Sequence, residues 1–539
     1  MRMINQKLGK KILNNIVKKF LISFFLIINI SFAANHYVRE GANGNGTDWN
    51  NAFGQLPSTL IRGDTYYIAD GNYPDYTFDD PVYGTTFIIV RKATKGDHGT
   101  DVGWNDSYGD GVANWGLLKF KGSYYIFDGV TGGGPGSWTS GYGFKISRND
   151  NVIFVMFSDK YGGPSDRIDV SDIIIRHIEL EGKSPVEPGW GSGFNATASG
   201  AKTSNVTISY CYTHDIGDPH FYWQGAKNII VEYCYITRNA SSPEHHGVGF
   251  RMDECSDITF RYNMMSDMTG TGFFGGYTGT ISNVSIYGNV FYHTLGYPNS
   301  FGNGVIYTVD SGLPTVIDWS IHNNSFVNLN NSRMIYFAKA GSGIVAYNNL
   351  FYLKDKPSFT NVNHDYSWFY PSFSHDESNG QVGNENPFVN WQYDNFNLKI
   401  ATNSGIVLTL PYNMDMFGNI RGADGVWDRG AIEYNNDIGG NLQERILIYP
   451  NPVNFKKSST VKLANLPINS IITIYDVMGK IITTLSSTKV SGKSTYSGGT
   501  IAEWDGRDEH GGIVSRGVYY CIAEGNGIKR KGKIAVIDK

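Results

Sequence analysis

Seven nine-residue segments share one pattern, and that pattern restricts the chain to a stacked architecture. They read DIIIRHIEL from Asp172, NVTISYCYT from Asn205, NIIVEYCYI from Asn228, DITFRYNMM from Asp257, NVSIYGNVF from Asn283, DWSIHNNSF from Asp318 and GIVAYNNLF from Gly343. Their starts lie 33, 23, 29, 26, 35 and 25 residues apart. Each opens on a polar residue or glycine, then alternates with the period of two that a strand requires. The alternation aims Val206/Ile208, Ile229/Val231, Ile258/Phe260, Val284/Ile286 and Trp319/Ile321 to one side. The seventh position runs Ile178, Cys211, Cys234, Asn263, Asn289, Asn324, Asn349. Buried amides are costly unless bonded, so four successive asparagines predict a ladder in which each amide satisfies the next. Such coils bury their apolar side only against one another, as in a solenoid; independent hairpins would not hold one register.

Short second strands follow most segments: HFYWQG at His220, GVGFRMDE at Gly247, GFFGGY at Gly272, GVIYTVDSG at Gly304 and RMIYFAKAG at Arg333. Two or three strands per coil, joined by variable turns, resemble a right-handed parallel β-helix, the architecture of pectate-lyase-like secreted carbohydrate-active proteins. HYVREGANGNGTDWNNAFGQLPSTLIRGDTYYIADGNY (36–73) is similar to the opening of many such proteins, and GNIRGADGVWDRGAIEY (418–434) to their close, so the resemblance spans 34–435. It implies the fold and leaves the reaction open, because this architecture hosts lyases, hydrolases, epimerases and inert fibres.

Polar residues 436–444 read as a linker. The last stretch, 445–539, holds short alternating segments between Gly, Asp and Asn turns, as in a small β-sandwich. Pro450-Asn451-Pro452, Asp476-Val477-Met478-Gly479-Lys480 and Gly517-Val518-Tyr519 resemble immunoglobulin-like domains of the flagellar-hook-cap type and type IX secretion sorting domains. The resemblance implies secretion or cell-surface machinery as a partner. The expected fold class is therefore all-β, a parallel β-helix followed by an immunoglobulin-like sandwich.

Residues 1–33 read as a secretory signal peptide: basic residues, the apolar run FLISFFLIINISFA, and small residues before Ala34. The run is shorter than a spanning helix needs, and no later segment offers a transmembrane span. The leader carries six basic residues and no acid, so its removal takes the formal net charge from −4 to −10. That balance argues against nucleic acid and anionic membranes as partners and fits a secreted or surface protein. Four cysteines, Cys211, Cys234, Cys255 and Cys521, are too few for a disulfide scaffold. Cys211 and Cys234 fall one coil apart, where bonding is geometrically open, although free apolar stack members are the simpler expectation.

On a filled solenoid, ligands must use outward rows. Aligning the second strands places His220, Gly247, Gly304 and Arg333 in one row, Gln224, Arg251, Thr308 and Phe337 in a second, and Asp253, Asp310 and Lys339 in a third. Asp218 and His245 precede the first row, and His246 has the parity of an inward or turn residue. Elimination from a uronate needs its carboxylate neutralised and its C5 proton taken by a base. Arg251 with Arg333 or Lys339 supplies the cations, His220 or His245 the base, and Asp253 an orienter or cation ligand; Gln224 and Asp218 border the substrate. Calcium is a candidate cofactor through Asp215, Asp218, Glu244 and Asp253. The rival readings are inverting glycoside hydrolysis by Asp253 and Asp310, about 10 Å apart at about 4.8 Å per coil, and a non-catalytic glycan-binding surface protein. In each, polysaccharide is the expected partner. Arg251 and Asp253 could equally pair with each other, and Glu232 and Arg261 read as a cross-strand ion pair. Trp104, Trp115, Trp138 and Trp190 read first as capping residues and second as groove walls.

Overall fold

The computed structural model describes residues 33–434, apart from 149–152, 159–167, 185, 188, 190, 198–201, 243–244, 298–300, 310–313 and 331–332. It also describes 446–537, apart from 450, 452, 456–459, 467–469, 478, 487, 490–499 and 526–527. The expected signal peptide (but for Ala33), the expected linker and Pro450, Pro452 and Met478 lie outside the described residues. Among those described, no helix is long and apolar enough to cross a membrane.

Three long parallel sheets run the length of the chain's larger part, with ten, twelve and twelve strands among the described residues. One coil shows the path. Val248–Asp253 lies in the first sheet, Ser256–Arg261 in the second and Met264–Ser266 in the third, and Thr271–Gly275 then returns to the first. Each strand pairs in register with its counterpart one coil away; Ile229, Ile258 and Val284 form one such column. This is a parallel β-helix. Its interior is one continuous cluster from Val38 to Phe369, and every predicted inward residue is buried. Phe291, Phe326, Phe351 and Phe369 stack at 5.1, 4.9 and 5.5 Å along it.

The corner between the second and third sheets is a single left-handed residue: Tyr210, Tyr233, Tyr262, Gly288, Asn323 or Asn348, with φ between 53° and 66°. The predicted ladder follows it. Asn289 Oδ1 accepts the Asn263 N–H at 2.9 Å, Asn324 Oδ1 that of Asn289 at 3.1 Å, and Asn349 Oδ1 that of Asn324 at 3.0 Å. Each Nδ2 also donates to a carbonyl of the preceding coil, Val231, Phe260, Ile286 and Ile321 in turn. Cys234 and Cys211 continue the column, and Cys234 Sγ takes the amide's place as acceptor of the Cys211 N–H at 3.4 Å.

A second, exposed ladder explains the polar residue that opens each segment. Asp172, Asn205, Asn228, Asp257, Asn283 and Asp318 all sit at φ between 53° and 59°, which side chains other than Asn and Asp adopt reluctantly. Their amides link adjacent coils, Asn205 to Asp172 at 3.2 Å and Asn228 to Asn205 at 2.8 Å.

The ends are closed differently. Tyr37, Trp49 and Tyr67 form a separate cluster against Trp104 at the start. Trp115 is core, Trp138 packs at the edge of a second cluster, and Trp190 lies outside the described residues. Capping thus accounts for Trp104. At the far end the chain turns back: Phe388, Trp391, Phe396, Leu398, Met416 and Ile432 cover the outer face of the third sheet over Met264, Val290, Val327, Leu350 and Trp368. Trp427 Nε1 donates to the corner residue Asn323 at 3.1 Å, and Arg429 donates to the Ser367 carbonyl at 2.9 Å. After residue 445, two four-stranded antiparallel sheets share a core of Val461, Leu463, Ile472, Ile474, Trp504, Cys521 and Ile534.

Candidate functional site

The outer face of the first sheet carries a row that the pairing fixes as Tyr222, Arg251, Phe274, Tyr307 and Tyr336. Phe274 and Tyr307 stack at 6.2 Å, and Tyr307 and Tyr336 at 5.4 Å. Arg251 is the cation in this aromatic strip. Its guanidinium lies 4.2 Å over the Tyr222 ring, 5.1 Å from that of Tyr277 and 5.8 Å from that of Phe274. Burial pushes the Tyr222 phenol up to about 12, against the lowering effect of Arg251.

Asp253, in the neighbouring row, holds the arrangement. Its Oδ2 accepts from Arg251 Nε at 3.2 Å, and its Oδ1 accepts the Tyr277 N–H at 2.6 Å. The turn that brings Tyr277 there needs Gly276, because a Cβ at that position would meet Asp253 Oδ1 at 2.0 Å. Tyr277, 37% exposed, then sets its hydroxyl 3.2 Å from His246 Nε2. His246 is held from behind by Asp218, whose carboxylate accepts the His246 and Val248 N–H groups at 2.9 and 2.8 Å. An imidazole, a phenol and a guanidinium therefore meet on one partly open face, backed by two buried carboxylates. The set offers a proton acceptor, a proton donor and a fixed positive charge.

Several sequence expectations need correction. His220 does not face outward: it is fully buried, with Nδ1 2.9 Å from Thr213 Oγ1, and burial lowers its pKa to about 3. It stands in the turn before Phe221–Gln224, where strand alternation has not begun. His245 closes a tight turn with Ser242, and its neighbour His246 reaches the site instead. Gln224 aligns with Asp253, not Arg251. Thr308 and Phe337 are buried inside. Arg333 lies three strands from Arg251 and packs 5.2 Å over Tyr336, while Lys339 is exposed in the turn that follows. Asp310 lies outside the described residues, and Asp253 is 3% exposed and committed to Arg251 and the Tyr277 N–H. The calcium quartet does not assemble: Asp215 binds Arg238 and His214, Asp218 binds backbone, Asp253 binds Arg251, and Glu244 lies outside the described residues. Glu232 and Arg261 do pair, at 2.6 Å.

Sequence reasoning missed a polar cluster on the third sheet. Lys145 Nζ lies 3.1 Å from Glu179 and 2.8 Å from Glu181. His214 bridges Glu179 at 3.1 Å and Asp215 at 2.7 Å, and Arg238 clamps Asp215 at 2.8 and 2.7 Å. Burial opposes charge here, but Arg238 and His214 still hold the Asp215 carboxyl at about 2. Burial likewise opposes ionisation of Glu179 and Glu181, yet His214 and Lys145 hold the first, and Lys145 and Ser147 the second, below the ordinary range. Neither glutamate is the protonated acid that glycoside hydrolysis needs at neutral pH. Glu179, Glu181 and His214 are the described residues whose ligand atoms converge within 4.8 Å and could hold a metal ion. Three carboxylates facing Lys, Arg and His form a closed network without one. The signal was available in the alternating I-E-L-E and Y-T-H, which extend beyond the nine-residue window.

The family described as the right-handed β-helix region matches residues 137–326. Among solved structures, the pectate lyase Pel9A is similar at 12% identity and a TM-score of 0.40, covering 76% of this chain and 98% of that one. The lacto-N-biosidase of family GH136 from Eubacterium ramulus gives 13% identity and a TM-score of 0.34, covering 65% and 68%. Dimeric latent PorU from Porphyromonas gingivalis gives 23% identity and a TM-score of 0.14 over 17% of this chain, which spans 9% of that protein's length. No curated protein matches the chain.

Proposed function

We propose that this protein is a carbohydrate-active β-helix protein, a polysaccharide lyase that cleaves uronate-containing glycans on the outer face of its first sheet. The observation that carries the reading is the His246–Tyr277 pair at 3.2 Å with the Arg251 guanidinium 5.1 Å from the same tyrosine ring. A sugar packs on the partly exposed rings of Tyr307 and Tyr336, and Arg251 takes the uronate carboxylate, which makes the C5 proton acidic enough to leave. His246 Nε2 accepts the phenol proton, the Tyr277 oxygen takes the C5 proton, and the same hydroxyl then protonates the departing glycosidic oxygen. Asp253 and Asp218 are positioning residues. Lyase action yields a product absorbing in the ultraviolet; hydrolysis yields reducing ends without absorbance, and a binding protein retains glycan without turnover.

The test is a panel of acidic and neutral polysaccharides, with and without calcium, followed by variants. Tyr277→Phe, His246→Ala and Arg251→Ala are each expected to lower turnover about a hundredfold or more. Unchanged turnover in all three would place the reaction elsewhere. We propose further that residues 1–33 direct export, and that the C-terminal unit is an immunoglobulin-like sandwich engaging secretion or cell-surface machinery. N-terminal sequencing of the exported chain, and the fate of a chain truncated after Tyr434, test these two points.

A further inference from the structure

We propose that Cys211 and Cys234 form an inter-coil disulfide when the chain folds under oxidising conditions, a modification site that locks the helix where its asparagine ladder ends. The two residues hold the same corner position in successive coils, with Tyr212 and Tyr235 paired in register beside them. The Cys211 N–H already donates to Cys234 Sγ at 3.4 Å, while each thiol donates to a carbonyl of its own coil, Cys211 to Ser209 and Cys234 to Glu232, both at 3.3 Å. In-register coils are about 4.8 Å apart, within the Cα separation of about 4.4–6.8 Å that disulfides span. The other cysteines have no such neighbour. Cys255 lies in the corner between the first and second sheets, beside Ala226 of the preceding coil, and Cys521 lies in the C-terminal unit.

The position has a physical reason to be cross-linked. From Asn263 onward each coil is tied to the next by amides that donate and accept at once. A thiol donates and accepts weakly, so the step from the Cys211 coil to the Cys234 coil lacks that tie, whereas Asn263 still accepts the Cys234 N–H at 2.8 Å. Oxidation removes two hydrogens from the pair, one from each sulfur, and reduces one small disulfide, such as glutathione disulfide, to two thiols. Both cysteines are fully buried, and burial pushes the Cys234 thiol well above its ordinary value. The exchange therefore belongs to folding, before the coils close, and the finished bond is shielded from reductants.

The full chain is unfolded in urea, refolded with a glutathione redox pair or with reductant alone, and alkylated under denaturing conditions before peptide mapping. As a second route, protein made in an oxidising and in a reducing compartment is alkylated in the same way. The expected result is one cross-linked peptide pair containing Cys211 and Cys234, with Cys255 and Cys521 alkylated. The oxidised form should melt about 2 °C or more above the reduced form, and Cys234→Ser should abolish the difference. Four alkylated cysteines in natively folded, oxidatively prepared protein, or a bond involving Cys255 or Cys521, would overturn the proposal.

Discussion

Asn289→Ala is the substitution that bears most directly on how the coils hold together. The Asn289 side chain accepts the Asn263 N–H at 2.9 Å and donates to the Phe260 carbonyl at 2.9 Å and to Asn324 Oδ1 at 3.0 Å. Asn324 Oδ1 keeps the Asn289 backbone N–H as a donor, so truncation strips two groups, the Asn263 N–H and the Phe260 carbonyl, among fully buried residues. Each buried group left unsatisfied costs about 1–3 kcal/mol, so about 3 kcal/mol is expected in total. Asn228→Ala is the control. It loses one exposed amide bond, to Asn205, and must hold φ 54° without an Asx side chain, which costs about 1 kcal/mol. Urea denaturation followed by tryptophan fluorescence should show an earlier and shallower transition for Asn289→Ala, because solenoid coils lose cooperativity where one interface weakens. A loss under about 1 kcal/mol, or one no larger than that of Asn228→Ala, would mean that apolar stacking alone sets the register and that the amides are passengers.

Other outcomes follow from the same geometry. His220 and His322 are buried with pKa values lowered to about 3 and about 4 from 6.5, so the folded chain keeps them neutral. Their stabilising effect is whole above pH 6.5 and is lost as pH falls towards 4, costing about 2 kcal/mol each at pH 5; His220→Gln should flatten the acid limb of a melting-temperature profile. Phe396→Ala, removing a ring packed edge-on to Tyr292 at 4.8 Å, should cost about 3–5 kcal/mol locally and make residues 386–434 the first to exchange amide hydrogens. Lys145→Met removes the ammonium between Glu179 and Glu181, and carboxyl titration by NMR should show both glutamates moving up from their lowered values.

The sequence made the stack legible because its period, its inward columns and its ladder repeat with little change from coil to coil. Register in the first sheet was less legible. Its strands follow turns of unequal length, and alignment by their opening residues put Thr308 and Phe337 beside Arg251, where pairing puts Tyr307 and Tyr336. A one-residue slip exchanges the two faces of a strand, which is why two buried residues were read as outward. His246 was passed over for a related reason: parity has no meaning in a turn, and the Asp218 carboxylate, not alternation, aims that segment at Tyr277. The third-sheet network escaped because the nine-residue windows end inside its strands, at Leu180 and Thr213, and cut off Glu181 and His214.

What the chain covers points to where it works. The third sheet's outer face is covered by the returning segment over the strands of Met264, Val290, Val327, Leu350 and Trp368, and the earlier strands that carry Lys145, Glu179 and His214 are occupied by a network of paired charges. The second sheet's strands that hold Asp172 to Asp318 each carry a left-handed Asx residue, and its later coils are overlaid by Tyr412, which packs on Tyr287 and His322 at 4.9 Å. Along the Asx ladder lies a groove of Asn205, Asn228, Asp257, Asn283 and Ser285, whose cation, Lys227, faces Asp257 at 3.8 Å and which has no ring on which a sugar could stack. On the first sheet an aromatic strip stays partly open, and a guanidinium, a phenol and an imidazole converge beside it. An aromatic row costs solubility, and a buried pair of carboxylates spent on aiming other groups costs stability; neither is needed to stack coils that the ladder and core already hold. A face that retains both is the one on which the proposed lyase reading rests, because its guanidinium, phenol and imidazole are the groups that elimination from an anionic sugar requires.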